Sequence, residues 1–95
     1  MSVADYLGRG KDRAITARIL CSALGIRHRE LTKMIEQERR AGAPICASCD
    51  AEQPGYYLAD GPGELAAYIK SLDRRIKEVT RTRDAMARCQ KRGLR

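Results

Sequence analysis

The sequence predicts a mostly α-helical protein with one small β-hairpin. Three observations lead to this fold class. The first half holds two apolar helical repeats joined by a glycine, the middle holds two strand-like segments around a turn-rich stretch, and the run from Glu64 to about Lys91 contains neither glycine nor proline. The expected organisation is two domains, residues 1–61 and residues 62–95, the second being one long amphipathic helix.

The first two helices have the pattern of a helix-turn-helix. Each carries an apolar stripe of helical period, namely Ile19, Leu20 and Leu24 in the first and Ile26, Leu31 and Ile35 in the second. Thr16 can cap the first helix with its hydroxyl, and Gly25 can adopt the left-handed turn between the two. The second helix is predicted over about residues 27–42.

The polar face of that second helix is rich in hydrogen-bond donors. Its residues are Arg27, His28, Arg29, Thr32 and Lys33. Such side chains suit base edges and phosphates, and three basic residues at a helix start are repelled by the helix dipole, so stability alone does not explain them. The alternative is a solvated helix terminus in which the single histidine has no special role.

Shorter elements surround these helices. The opening SVADYLGRG is predicted to form a short helix with Val3, Tyr6 and Leu7 on one face, and Ala14-Ile15 to pair briefly as a strand. Residues 44–47 and 55–59 are predicted to form the hairpin. Because side chains alternate along a strand, a core-facing Leu58 would leave Tyr57 exposed. Its hydroxyl can then donate to a phosphate, or its ring can pack on neighbouring side chains.

The last helix carries a coiled-coil seam of about three heptads. Its members are Leu65, Ile69, Leu72, Ile76, Val79 and Met86. Isoleucine at the a positions with leucine at d favours two parallel strands, whereas Arg83 and Gln90 weaken the far end. Leu65, Ile69 and Leu72 can also pack on the N-terminal core, but a helix of roughly 42 Å is longer than a small domain can cover, so the part beyond Ile76 is expected to pair with a second copy.

The net charge of +7 is unevenly distributed. Residues 43–63 carry three acidic and no basic side chains, whereas residues 64–95 carry ten basic and four acidic ones. The basic face of the last helix fits a solvated surface, a second nucleic-acid contact or a docking site for an acidic protein. Since no apolar run is long enough to span a bilayer and no signal-peptide core is present, a cytoplasmic location without membrane contact is expected.

The cysteines raise the question of a metal. Cys46 and Cys49 have the spacing of half a zinc site, which would need Cys21, Cys89 or His28 to complete it. A redox pair usually opens a helix, and this pair ends a strand. Four reduced cysteines without metal or cofactor is therefore the prediction. No catalytic constellation or phosphate loop is recognisable, so the chain is not expected to be an enzyme.

A helix-turn-helix followed at once by a hairpin resembles the winged helix-turn-helix family over roughly residues 13–60. More specifically, the chain looks like small prophage-encoded winged-helix proteins of Gram-positive bacteria through AITARILCSALGIRHREL, RRAGAPIC, GYYLA and ELAAYIKSL. The resemblance implies that the second helix enters the DNA major groove and that the hairpin, or wing, lies against the backbone. Thr16 and Tyr57 then join the five residues of the second helix as candidate DNA contacts.

Two residue patterns depart from that family. Glu38 stands where the family often has an apolar residue, and the wing is acidic where the family often has lysine or arginine. The function expected is sequence-specific binding of double-stranded DNA by a homodimer, as in a bacterial or prophage transcriptional regulator. The alternative is an interaction module, such as an anti-repressor or replication adaptor, that uses the acidic wing and the last helix and does not bind DNA.

Overall fold

A computed structural model describes residues 2–93 and contains, within them, three α-helices and a two-stranded antiparallel hairpin. The elements are two short 3₁₀ turns at Ala4–Tyr6 and Lys11–Arg13, then α1 (Ala17–Leu24), α2 (His28–Arg40), β1 (Ile45–Ser48), β2 (Gly55–Leu58) and α3 (Pro62–Lys91). The mostly helical fold with a small hairpin and a long C-terminal helix is therefore confirmed. Contacts divide the chain into two compact units, Met1–Leu65 and Ala66–Arg95.

Local signals set the bounds of α1 and α2. The Thr16 hydroxyl accepts a hydrogen bond from the Ile19 amide (3.3 Å), and Gly25 ends α1 at φ 67° in the left-handed region. The Glu30 carboxylate accepts from the Arg27 amide (3.2 Å) just before α2 begins. Gly25 therefore ends α1 as predicted, and a three-residue connection leads to α2, which begins one residue later and ends two residues earlier than the predicted range of about 27–42.

The core of the first unit is aliphatic. Its buried members are Val3, Leu7, Leu20, Leu31, Ile35 and Ile45. The expectation that Ile19 lies on the buried face of α1 is wrong, because that side chain is 58% exposed. In α1 the contacts with the core are made by Ala17, Leu20, Cys21 and Leu24, and Ile19 lies on the other side of so short a helix.

The hairpin is extended by the segment that precedes α1. Within the hairpin Ile45 pairs with Leu58 and Ser48 with Gly55. On the other edge of β2, Tyr56 and Ile15 exchange two backbone hydrogen bonds of 2.8 Å. The strand predicted at Ala14-Ile15 is thus present as a single bridge. Gly55 has φ 118°, and a Cβ there would overlap the Ile15 carbonyl, so this close approach requires glycine.

A carboxylate on α2 fixes the opening segment. The segment forms a 3₁₀ turn rather than an α-helix, with Val3 and Leu7 buried and Tyr6 half-buried. Glu38 accepts hydrogen bonds from the Val3 amide (2.7 Å) and the Ala4 amide (2.9 Å). A carboxylate at this position of α2 therefore supplies acceptors for two otherwise orphaned helix-start amides.

The long helix α3 begins at Pro62, where the missing amide hydrogen is not needed. The Glu64 carboxylate in its first turn accepts hydrogen bonds from the amides of Asp60 (2.7 Å) and Lys11 (3.3 Å). Four large apolar side chains of α3 are exposed, namely Ile69, Ile76, Val79 and Met86. Among the helices within residues 2–93, none has the length and apolar character that crossing a membrane requires.

Candidate nucleic-acid interface

Helix α2 separates a buried from an exposed face. Leu31 is 0% and Ile35 2% exposed, so the opposite side of the helix faces solvent. All five polar residues predicted from the sequence are exposed: Arg29 and Lys33 on that side, Thr32 at its edge, and Arg27 and His28 at the N-terminal end of the helix. The structure thus brings these five residues together in the first turns of one helix.

The donors of this cluster differ in availability. Thr32 donates its hydroxyl hydrogen to the His28 carbonyl (3.1 Å), which leaves its oxygen lone pairs as acceptors. Across residues 2–93, the ion pairs found involve neither Arg29 nor Lys33. The guanidinium of Arg29 and the ammonium of Lys33 can therefore bind an incoming anion or base edge without first breaking a salt bridge.

Two further residues extend the exposed face towards the end of α2. Gln37 follows Lys33 by one turn, and Arg40 lies about three turns after Arg29, within roughly 20° of it around the helix. Both are exposed. Sequence reasoning stopped at Lys33, although the helical period that places the first residues also places these two on the same face. The exposed Glu36, two turns after Arg29, lies within about 20° of it as well, so the candidate surface is a row along most of α2 with a net positive charge and one carboxylate.

Two other candidate contacts occupy different environments. Thr16 is half-buried, and its hydroxyl serves as the N-cap of α1, as predicted. The expectation that Tyr57 is exposed is wrong, since only 6% of it is accessible. Tyr56 and Leu58 pack against the core as expected, but the other face of β2 is covered as well, and Tyr57 is paired with the fully buried Cys46 of β1. Burial removes Tyr57 from the candidate interface.

The hairpin loop presents negative charge. Asp50 accepts from the Glu52 amide (3.0 Å) and forms an ion pair with Lys11 (3.3 Å). The hydrogen bond from the Glu52 amide lowers the pKa of the Asp50 carboxyl most, and the nearby Lys11 lowers it further, so the carboxyl is ionised at neutral pH. The Lys11 ammonium offsets part of the Asp50 charge, but residues 43–63 carry three acidic and no basic side chains, so the exposed loop stays net negative. It is therefore unsuited to the backbone contact that the family resemblance implies for a wing.

The two hairpin cysteines lie in contrasting environments. Cys46 is buried whereas Cys49 is exposed. Burial raises the pKa of the Cys46 thiol, and the Glu64 carboxylate raises it further, so the thiolate that a metal would need is disfavoured. Within residues 2–93, no group of three or more histidine, cysteine, aspartate or glutamate side chains is arranged to hold a metal ion.

Protein purified without chelator is expected to contain well under one zinc ion per chain. The reason is that Cys46 and Cys49 are only half of a zinc ligand set and one of the two thiols is held in its neutral form. Elemental analysis measures this directly, with Cys49→Ser as the matched variant. A stoichiometric zinc content in the parent that is lost in Cys49→Ser would contradict the expectation.

Comparison of this chain with family models, with curated proteins and with solved structures gives no match.

Proposed function

We propose that this protein binds double-stranded DNA sequence-specifically, with α2 as a recognition helix in a winged helix-turn-helix arrangement. The observation that carries the proposal is the cationic face of α2. Arg29 and Lys33 project from a helix whose other side is locked into the core by Leu31 and Ile35, so the face is rigid and accessible. An exposed helix of 13 residues with free arginine and lysine donors matches what major-groove recognition uses.

In this proposal the protein acts as a homodimer, whose two subunits pair through α3. Its apolar seam includes Ile76 and Val79, which are 61% and 62% exposed in the single chain. Contact with a second copy would remove this apolar surface from water. Two subunits would present two copies of α2 to a two-part site, as regulators of transcription commonly do.

A second candidate function is protein binding without DNA recognition. The observation that favours it is the acidic hairpin loop, where Asp50 and Glu52 are exposed. A loop of this charge fits a basic partner rather than a phosphate backbone. In that function the hairpin and α3 would be the working surfaces.

Selection of bound sequences from a random pool of duplex DNA distinguishes the two functions. DNA recognition by α2 predicts enrichment of a defined motif and retention that weakens as salt is raised. A folded protein that enriches no motif and shows no salt-dependent retention would support the interaction module instead. Circular dichroism of the same sample establishes that the protein is folded.

Arg29→Ala is expected to weaken binding to the selected site by about 1–3 kcal/mol, because one bidentate contact to a base is lost. The preference at one base pair should relax, while the fold is kept since the side chain is exposed. The measurement is the affinity for the selected site and for single-base variants of it. Equal affinities of parent and variant across this series would show that the assigned face does not contact bases.

Lys33→Ala is the companion variant on the same face. Its ammonium is expected to contact a phosphate, so its loss should weaken all sequences alike. The slope of log affinity against log salt concentration should become shallower by about one unit. A titration series at several salt concentrations measures both effects, and an unchanged slope would argue against a phosphate contact by Lys33.

A further inference from the structure

The apolar seam of α3 is interrupted by a charge. Ile69, Ile76, Val79 and Met86 are exposed by 49%, 61%, 62% and 67%. Arg83 lies on the same seam between Val79 and Met86, one heptad after Ile76. Any pairing of two copies must place this guanidinium somewhere along the contact.

We propose that two copies of α3 pair in antiparallel orientation, with Ile76 of one subunit opposite Val79 of the partner subunit. This inference rests on the dimer proposed above and adds its orientation. A two-fold contact is reciprocal, so Val79 then lies opposite Ile76 of the partner subunit. Counting outward from this pair places Ile69 opposite Met86 of the partner subunit. The four exposed apolar side chains thus cover one another.

The orientation is decided first by Arg83. In a parallel pair in register each residue meets its own copy, so two Arg83 side chains would face each other between the Val79 and Met86 layers. In the antiparallel pair Arg83 lies opposite Leu72 of the partner subunit. The two Arg83 residues are then about 16 Å apart along the helices, because 11 residues separate positions 72 and 83 and each rises about 1.5 Å. Antiparallel pairing thereby removes a like-charge contact from the seam.

Arg83 also makes a contact within its own helix, which is available in either orientation, whereas the neighbours of its side-chain stem differ. Its guanidinium lies 2.8 Å from the carboxylate of Asp84, the next residue, which is outside the seam on the outer face of the helix. The charge can therefore stay at the edge while the side-chain stem covers an apolar neighbour. Asp73 follows Leu72 in the sequence. In the antiparallel pair, Asp73 of the partner subunit therefore brings a second carboxylate near Arg83.

The charges of the whole helix favour the same orientation. The half from Pro62 to Ile76 has a net charge of +1, and the half from Lys77 to Lys91 has a net charge of +3. The basic residues are Lys70, Arg74 and Arg75 in the first half and Lys77, Arg81, Arg83, Arg88 and Lys91 in the second, against Glu64 and Asp73, and Glu78 and Asp84, respectively. Parallel pairing places the two strongly basic halves side by side. Antiparallel pairing places each beside the weakly charged half, which lowers the repulsion.

The sequence preference for parallel strands has a limited extent. Isoleucine at a with leucine at d occurs from Leu65 to Ile76, the first part of the seam only. Beyond it the seam continues with Val79, Arg83 and Met86, where that preference does not apply. Orientation is therefore set by the charged second half.

Distances between spin labels on the two subunits test the orientation. In full-length protein carrying Cys49→Ser and Cys21→Ala, which removes the exposed and the half-buried thiol, the nitroxide is attached to the exposed native Cys89, while Cys46 is buried. Antiparallel pairing places the two Cys89 residues about 35 Å apart along the axis, since position 89 lies opposite position 66 and each residue rises about 1.5 Å. Parallel pairing places them at the same height and at a short distance. Pulsed electron paramagnetic resonance measures the distance between the two labels and distinguishes these two values.

A label near the two-fold axis is the matched control. The variant carries Cys21→Ala, Cys49→Ser, Cys89→Ser and Lys77→Cys. In the antiparallel pair its labelled position lies opposite residue 78 of the partner, so the distance is short in either orientation and reports that α3 pairs. A distance of about 35 Å at position 89 with a short one at position 77 is the expected result. Short distances at both positions would overturn the orientation, and no short distance at position 77 would overturn pairing by α3 altogether. DNA binding of the same samples, measured separately, shows whether the DNA function fails with the orientation or independently of it.

Discussion

Ile76→Asp is expected to convert the proposed dimer into a monomer while the unit Met1–Leu65 stays folded. Ile76 lies in the middle of the α3 seam and is 61% exposed in the single chain, so the variant places no charge in the core of the first unit. In the dimer, however, each aspartate would be buried in an apolar contact, which costs several kcal/mol when the charge is unpaired. Because Arg83 already interrupts the seam, little apolar contact remains to hold the pair. DNA affinity should fall with the dimer, since one subunit makes half the contacts.

Light scattering of parent and variant, together with circular dichroism, measures this outcome. Ala85→Asp is the matched control, because it adds the same charge to an exposed position of α3 outside the seam. The control should remain dimeric and as helical as the parent. A monomeric parent, or an Ile76→Asp protein that stays dimeric, would show that α3 does not pair through this seam.

The element bounds could be predicted because their signals are local. Thr16 caps the helix that follows it, Gly25 adopts the left-handed conformation that ends α1, and Pro62 starts α3. Each signal acts within a few residues through hydrogen bonds or backbone sterics, and none depends on the rest of the fold. Both the connection between α1 and α2 and the length of α3 follow from the sequence for this reason.

Two predictions of side-chain exposure are wrong, and both concern residues whose burial is decided by packing between distant parts of the chain. Strand alternation assigns one face of the hairpin to the core and the other to solvent and so predicts an exposed Tyr57, yet this hairpin is covered on both faces. The apolar stripe predicts burial of Ile19 together with Leu20 and Leu24, yet only the last two of these contact the core. Apolar character and period narrow the choice of face, but only tertiary contacts settle it.

The candidate site was accessible to sequence reasoning only in part. Arg29 and Lys33 could be found because the buried positions Leu31 and Ile35 define the opposite face by helical period. Glu38 could not be assigned a partner in this way, because its ligands are backbone amides of Val3 and Ala4, 34 or more residues away. Backbone groups leave no trace in residue identity, so such contacts are visible only in the structure.

Glu38→Ala is expected to lower the free energy of unfolding by about 2–3 kcal/mol, since hydrogen bonds to a charged acceptor are worth more than neutral ones and two are lost together. The Val3 amide (2.7 Å) and the Ala4 amide (2.9 Å) would lose their acceptor, and Val3 is fully buried. The opening segment, which also contributes Leu7 to the core, would detach more easily from α2. Denaturant unfolding followed by circular dichroism gives the change.

Glu36→Ala is the matched control, because Glu36 is an exposed glutamate on the same helix two residues earlier. It should change stability by no more than about 0.5 kcal/mol, as exposed substitutions usually do. Glu38→Gln should fall between the two, because the amide keeps one acceptor oxygen but turns a donor towards the second backbone amide. Equal stabilities of Glu38→Ala and Glu36→Ala would show that the carboxylate does not hold the opening segment. The ordering parent, Gln, Ala at position 38 would instead assign the loss to the two hydrogen bonds rather than to helix propensity, since alanine is the better helix former.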